Sequence, residues 1–335
     1  MKNETLHTIA ERTGYSISTI SRVLSGQEKA SRISAKAAEI IRAEAQKCNY
    51  TPSALAKSLR TRKTDTIGLI IPSIDNPYFA NIAHIIIQEA NNHNYTIILV
   101  DTMEDENLEK EGVDSLLSRK VDGMIVVPCG QSADLLEKAS SEIPIILVDR
   151  YYSHTKLPYV CTDNYIGGYI ATKHLTGKGH RNIACIAGPR YAMPVKERIR
   201  GYEKDLEEAG LQGSEVIVGE NFTIQNGYVE TKLLLNMADR PTAIFAQSNT
   251  ILLGALRAIQ ESGLKVPDDI SIVSFDNYTY LDYLSPAITR VSQPIDEIGI
   301  LAVKLLLQSI SGEPHANAQI QLPPRLIECA SVKQV

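Results

Sequence analysis

The chain has 335 residues, enough for about two to three domains, and its 44% hydrophobic and 22% charged content is that of an ordinary soluble globular protein. No run approaches the roughly 18 apolar residues of a membrane span, and the start, MKNETLHTIA, lacks the apolar core of a signal peptide, so the cytoplasm is the expected compartment. The net charge of −5 conceals a division: residues 1–63 hold 12 Lys+Arg against 5 Asp+Glu, and the rest hold 22 against 34, the pattern of a basic module that meets nucleic acid on a body repelled by phosphate.

In chain order, the first elements lie in LHTIAERTGYSISTISRVL, residues 6–24. Two short apolar-periodic segments meet at Gly14: Ala10 is small where two helices approach, Gly14 permits a tight turn, and Ile20, Val23 and Leu24 give the second helix a buried face. This spacing predicts a helix-turn-helix. Its second helix enters the major groove N-terminus first, which places Ile17, Ser18 and Arg22 against base edges. Arg22 offers guanine a paired contact, and Ile17 offers only apolar contact, as to a thymine methyl. Ser16, Thr19 and Ser21 suit phosphates or helix capping. A third helix, residues 34–48, supplies Ile40, Ile41 and Ala45 to close a small core.

The next stretch, TPSALAKSLRTRKT, opens like a helix, with Thr51 as cap, Pro52 preset for the first turn and Leu55 and Leu59 one turn apart. It is short, and isolated helices under about 12 residues are marginal in water. A partner must complete it.

TIAERTGYSISTISRVLSG followed by NYTPSALAKSLRTRKTDTIGLIIP resembles the head and hinge of the LacI/GalR family of bacterial transcription regulators. The likeness continues through IPSIDNPYFANI, GHRNIACIAGP, ERIRGYEKDLEEAGL, PTAIFAQSNTILLGALRAI and VPDDISIVSFDN. The resemblance implies a hinge that becomes helical on a pseudo-palindromic operator, paired with the hinge of a second subunit. Leu59 is then the minor-groove wedge, Ala56 lets the two hinges approach, and Arg60 holds phosphate. It also implies a homodimer. After Cys329 only ASVKQV follows, too short for the leucine-rich helix that makes some relatives tetramers.

From Thr66, apolar runs of strand length, TIGLIIP, YTIILVD, GMIVVP, PIILVD, YVCTD, NIACIAG, EVIVGE, TAIFAQ and ISIVSFD, alternate with predicted helices over 77–92, 108–119, 132–140, 165–176, 196–208, 224–237 and 251–262. Near-continuous apolar strands alternating with helices predict parallel sheets covered on both faces, in two lobes. The expected fold class is thus an all-α helix-turn-helix head (1–50), a hinge (51–64) and an α/β two-lobe core (65–335), which the resemblance makes periplasmic-binding-protein-like. The lobes divide at about 65–162 with 291–322, and 163–290 with 323–335.

Ligands of such sheets sit beyond the carboxyl ends of strands. That position holds Ser73, Asp75, Tyr78 and Phe79, then Asp149, Arg150, Asp163, Ser248 and Asp276, with Arg198 opening a helix and Phe222 following a strand. The resemblance implies Asp149, Arg198, Ser248 and Asp276 as hydrogen-bonding groups and Tyr78, Phe79 and Phe222 as walls, a set that suits a sugar. Each also has a plainer reading: Phe79 and Phe222 as core, Asp149 and Asp276 as helix caps, Arg198 as an interlobe ion pair. Family members usually carry Asn-Asp where this chain has Ser248-Asn249, which removes a carboxylate from the cleft. The five cysteines are scattered without C-x-x-C spacing, so no disulfide framework or metal site is expected. Neither G-x-S-x-G, a P-loop nor a strand-to-helix G-x-G-x-x-G occurs, which argues against an enzyme. A solute receptor for transport remains the alternative.

Overall fold

The computed structural model describes residues 5–26, 30–48, 50, 63–313 and 318–335. The chain divides into two units, Met1–Thr64 and Asp65–Val335. In the first, α1 (Leu6–Thr13), α2 (Ile17–Leu24) and α3 (Ala35–Lys47) surround a core of Ile9, Ile20, Val23, Ala38, Ile41 and Ala45. Gly14 ends α1 in the left-handed region (φ 73°), its N–H donating to the Ala10 carbonyl at 2.9 Å. Ser16 then starts α2 by accepting the Thr19 N–H at 3.2 Å, as Ser34 starts α3 by accepting that of Ala37 at 3.3 Å. The expectation for Ile40 is corrected: it is 41% exposed. Its neighbour Ile41 takes the inward position, and one residue along a helix turns the side chain by about 100°. Residues 51–62, with Ala56, Leu59 and Arg60, lie outside the described residues.

The second unit holds two six-stranded sheets. The first-lobe strands are β1 (Thr66–Ile71), β2 (Thr96–Asp101), β3 (Gly123–Val126), β4 (Ile145–Val148), β5 (Tyr159–Thr162) and β11 (Gln319–Leu322). Their order is β11-β5-β4-β3-β1-β2, parallel throughout. The second-lobe strands are β6 (Ile183–Ile186), β7 (Val216–Val218), β8 (Ala243–Ala246), β9 (Ser271–Phe275), β10 (Thr289–Ser292) and β12 (Arg325–Ile327), in the order β12-β10-β9-β8-β6-β7. Only β12 runs antiparallel to its neighbour.

Side chains alternate across β1, with Ile67, Leu69 and Ile71 facing one apolar cluster and Ile70 the other, so both faces are covered. On the first lobe the covering helices are α4 (Pro77–Asn92), α5 (Glu106–Ser118), α6 (Asp134–Ala139) and α11 (Ile295–Ser311). The second lobe has α7 (Asn164–Gly177), α8 (Met193–Glu208), α9 (Ile224–Leu235) and α10 (Asn249–Glu261). These last four pack as two close pairs. A Cβ on Gly168 would collide with the Arg198 carbonyl oxygen and one on Gly201 with that of Tyr165, and Gly227 and Gly254 stand in the same relation to Ile251 and Ile224. Backbone meets backbone at both crossings, which only glycine permits.

The chain passes between the lobes three times: after β5, between β10 and α11, and between β11 and β12. The second passage follows Ser292, because β10 pairs with β9 of the second lobe.

Candidate functional site

On the head, the solvent face of α2 presents Ile17, Ser18 and Arg22, all exposed, with Thr19 and Ser21 half-buried behind them. Ser16 is engaged as the cap, its Oγ also lying 2.9 Å from both Ser18 Oγ and Thr19 Oγ1. The helix thus offers an arginine, hydroxyls and one aliphatic side chain on one arc, the set a recognition helix needs.

In the core, Asp149 and Asp276 occupy equivalent places, each the first residue past a strand, β4 and β9. Both take left-handed backbone, φ 64° and 78°, a conformation costly for most residues but tolerated by aspartate. The turn brings both carboxyls into the buried cleft between the lobes. Gln293, in the second passage between lobes, joins them. Its Nε2 donates to Asp276 Oδ1 at 2.6 Å, and its Oε1 accepts from Thr162 Oγ1 at 2.6 Å and stands 3.1 Å from the Tyr78 hydroxyl. Tyr78 donates its shorter bond, 2.7 Å, to Asp149 Oδ1. On the far side Asp276 Oδ2 accepts the Asn249 N–H at 3.2 Å, and the Tyr280 hydroxyl donates to Asn249 Oδ1.

Arg198 lies 3.6 Å above the Phe275 ring, with Nε donating to Asn164 Oδ1 at 2.8 Å and Nη1 to the Gln247 carbonyl at 2.6 Å. Burial pushes both aspartates above the ordinary carboxylate value. The Tyr78 bond with Arg150 and Arg198 opposes this at Asp149, and Arg198 with Asn249 and Gln293 opposes it at Asp276. Burial likewise lowers Arg198, against the pull of Asp276 and Asp149. The cleft therefore gathers two buried carboxyls, one from each lobe, and a buried guanidinium whose charge both favour.

The other expected residues are placed differently. Arg150 turns to Glu104, bonding both carboxylate oxygens at 2.7 and 2.8 Å, and sits 5.3 Å over the Phe79 ring, itself part of the first-lobe core. Asp163 and Ser248 cap helices, accepting the Ile166 N–H at 3.0 Å and the Ile251 N–H at 3.2 Å. Phe222 packs against the second-lobe core, over Gly188. Ser73 is half-buried and Asp75 exposed, and neither enters the network around Gln293. Sequence reasoning missed Gln293, Thr162 and Tyr280. Gln293 precedes Pro294 in a segment that must cross the cleft, and that crossing was the available signal.

Comparison with known proteins agrees with this fold. Residues 64–330 match the model for periplasmic binding proteins and the sugar binding domain of the LacI family, and residues 5–53 match that for bacterial regulatory proteins of the lacI family. The chain is 34% identical to the ribose operon repressor of Haemophilus influenzae, over 96% of this chain and 97% of the relative. It is 33% identical to the transcriptional repressor PurR of Pasteurella multocida, over 98% of each. A lac repressor dimer solved with operator and the anti-inducer ONPF superposes with a TM-score of 0.90 at 28% identity, covering 99% of this chain and 100% of that one. The protein belongs to the LacI family of bacterial transcription regulators. It is a DNA-binding regulator with a ligand-binding core of two lobes.

Proposed function

We propose that this chain is a cytoplasmic, homodimeric repressor whose hold on a pseudo-palindromic operator is set by a carbohydrate in the cleft between its lobes. The carrying observation is the pair of buried carboxyls, Asp149 from one lobe and Asp276 from the other, together with buried Arg198, whose charge both favour. Carboxylates accept from sugar hydroxyls and a guanidinium donates to them, at about twice the strength of neutral hydrogen bonds. A sugar stands in the names of two similar proteins, the ribose operon repressor and a LacI family transcriptional regulator solved with bound ribose. The acceptor-rich cleft supports a polyol over a flat base, since two carboxyls match a ligand that offers several hydroxyl donors.

Operator contact is assigned to Arg22, Ile17 and Ser18 at bases and to Ser16, Thr19, Ser21 and Arg60 at phosphates, with Leu59 wedging a base step and Ala56 admitting the second hinge. Effector hydroxyls compete for the partners of Gln293, so binding resets the lobes, and the hinge behind them responds. A regulator, with no turnover of the ligand, is the role this assigns.

The test is fluorescence anisotropy on duplexes tiled across the promoter of the chain's own gene, titrated with ribose, other aldoses, hypoxanthine and guanine. One sugar should shift the operator Kd about tenfold or more, a coupling of about 1.4 kcal/mol. A shift by purines alone overturns the carbohydrate assignment, and failure of the folded dimer to bind any palindromic duplex overturns the regulator.

A further inference from the structure

At the amino ends of β9 and β10, the ends away from Asp276, the segment 329–335 straps the second lobe. Ser331 is its buried anchor. The Ser331 carbonyl accepts the Ile272 N–H at 2.9 Å, and its hydroxyl donates to the Ile272 carbonyl at 2.6 Å and accepts the Thr289 N–H at 2.9 Å. Beyond it, the Lys333 N–H donates to Ser271 Oγ at 3.1 Å and the Val335 N–H to the Lys178 carbonyl at 2.9 Å.

Two histidines lie beside this strap, His174 in the last turn of α7 and His180 just before β6. His180 is 1% exposed and the His174 side chain 7%. The hydrogen bonds assign the tautomer of His180. The Thr242 hydroxyl donates to the Asn182 carbonyl at 3.2 Å, so its oxygen, 2.9 Å from His180 Nδ1, is the acceptor there and Nδ1 carries the ring proton. Nε2 of His180 is therefore a bare lone pair. It is buried with no completed hydrogen bond among the described residues, although the Lys333 backbone is near enough to favour a proton on it. Nε2 of His174 is buried and unbonded in the same way, and its Nδ1 stands 3.7 Å from a Glu328 carboxylate oxygen.

A proton on either ring would place a charge in buried and mainly cationic surroundings. His180 faces Lys333 and His174, and His174 faces Lys178, with the exposed Glu328 opposing. Burial holds both imidazoles below their ordinary value of about 6.5.

We propose that the strap is an acid-sensitive latch: it closes over neutral His174 and His180, and their protonation releases residues 329–335 from the second lobe. Release returns both rings to water. An imidazole that titrates lower when covered leaves the latch at full strength above about pH 6.5 and weakens it as pH falls toward the covered-state value. Within that window each histidine shifts the closed-to-open ratio by up to about tenfold per pH unit. The latch stands apart from the effector and the operator.

Hydrogen exchange of the full-length protein at about pH 7.5 and about pH 5.5, corrected for intrinsic rates, reads the latch at the Lys333 and Val335 amides. The Phe245 amide, on the buried strand β8, reports global unfolding. The strap amides should lose about tenfold or more of their protection at the lower pH while Phe245 keeps its own. The double variant His174→Gln/His180→Gln should hold equal protection at both. An NMR titration of the wild-type imidazoles needs no variant to fold, and both should titrate below about 6.5. Either ring titrating at or above that value, strap protection unchanged by acid, a loss shared equally by Phe245, or a loss that persists in the double variant would each overturn the latch.

Discussion

Tyr78 illustrates how single residues set the chemistry of the cleft. Its hydroxyl donates to a buried carboxyl that burial already holds above the ordinary carboxylate value. Tyr78→Phe removes that donor and leaves Asp149 under-satisfied, which should destabilise the core by about 1–3 kcal/mol near pH 7, measured by urea denaturation. The loss must also depend on pH. The Tyr78 bond lowers the Asp149 pKa, so removing it raises that pKa further. A carboxyl titrating higher in the folded state than its unfolded value of about 3.9 contributes stability that falls as pH climbs through that window. The variant's deficit should therefore shrink as pH is lowered and Asp149 becomes protonated; a deficit independent of pH would show that Tyr78 acts through packing alone.

At this scale the sequence was legible where a residue directly follows a strand, as Asp149 and Asp276 do. It was not legible for Gln293, whose three partners are separated from it by as many as 215 residues. Nor did it reveal that Arg150 would turn to Glu104, in a loop 46 residues earlier.

Among the elements, the buried strands were plain because parallel sheets covered on both faces need continuous apolar runs. Ends were less plain: α8 begins at Met193 rather than 196, since Pro194 starts it, and α10 begins at Asn249 rather than 251, since Ser248 caps it. The two strands least visible in sequence, β11 and β12, are short edge strands with half of their residues or more facing outward or only partly covered. Glycines that read as ordinary helix residues govern the helix pairs. Gly168→Ala would drive its methyl into the Arg198 carbonyl, and overpacking of this kind costs about 1–3 kcal/mol. Because α8 carries Arg198, the same change should weaken effector binding, whereas Ala at the exposed Gly210, which ends its helix far from the cleft, should leave it intact. Calorimetry with the identified effector compares the two; equal affinity in Gly168→Ala and wild type would detach the helix crossing from the cleft.

For the whole molecule, the division of charge makes a quantitative demand. A head with 12 Lys+Arg against 5 Asp+Glu binds DNA chiefly through phosphate contacts, and each contact contributes about 0.9 to the slope of log affinity against log salt. Operator affinity should fall about a thousandfold or more between about 50 and 200 mM salt. Arg60→Ala should reduce the slope by about 1 without changing which base pairs matter, while Arg22→Ala relaxes the choice of base. Anisotropy across a salt series decides it, and a flat dependence would contradict recognition by a basic head.

The threefold passage of the chain between lobes carries a last consequence. Segments at 162–164, 292–295 and 322–325 all connect the two sheets. Three parallel straps resist torsion and sliding far more than bending, so the lobes retain one soft degree of freedom, an opening angle. Ligands that differ in strength would then differ only in how often that angle is narrow, and a graded response would reflect shared time between two postures and no third shape.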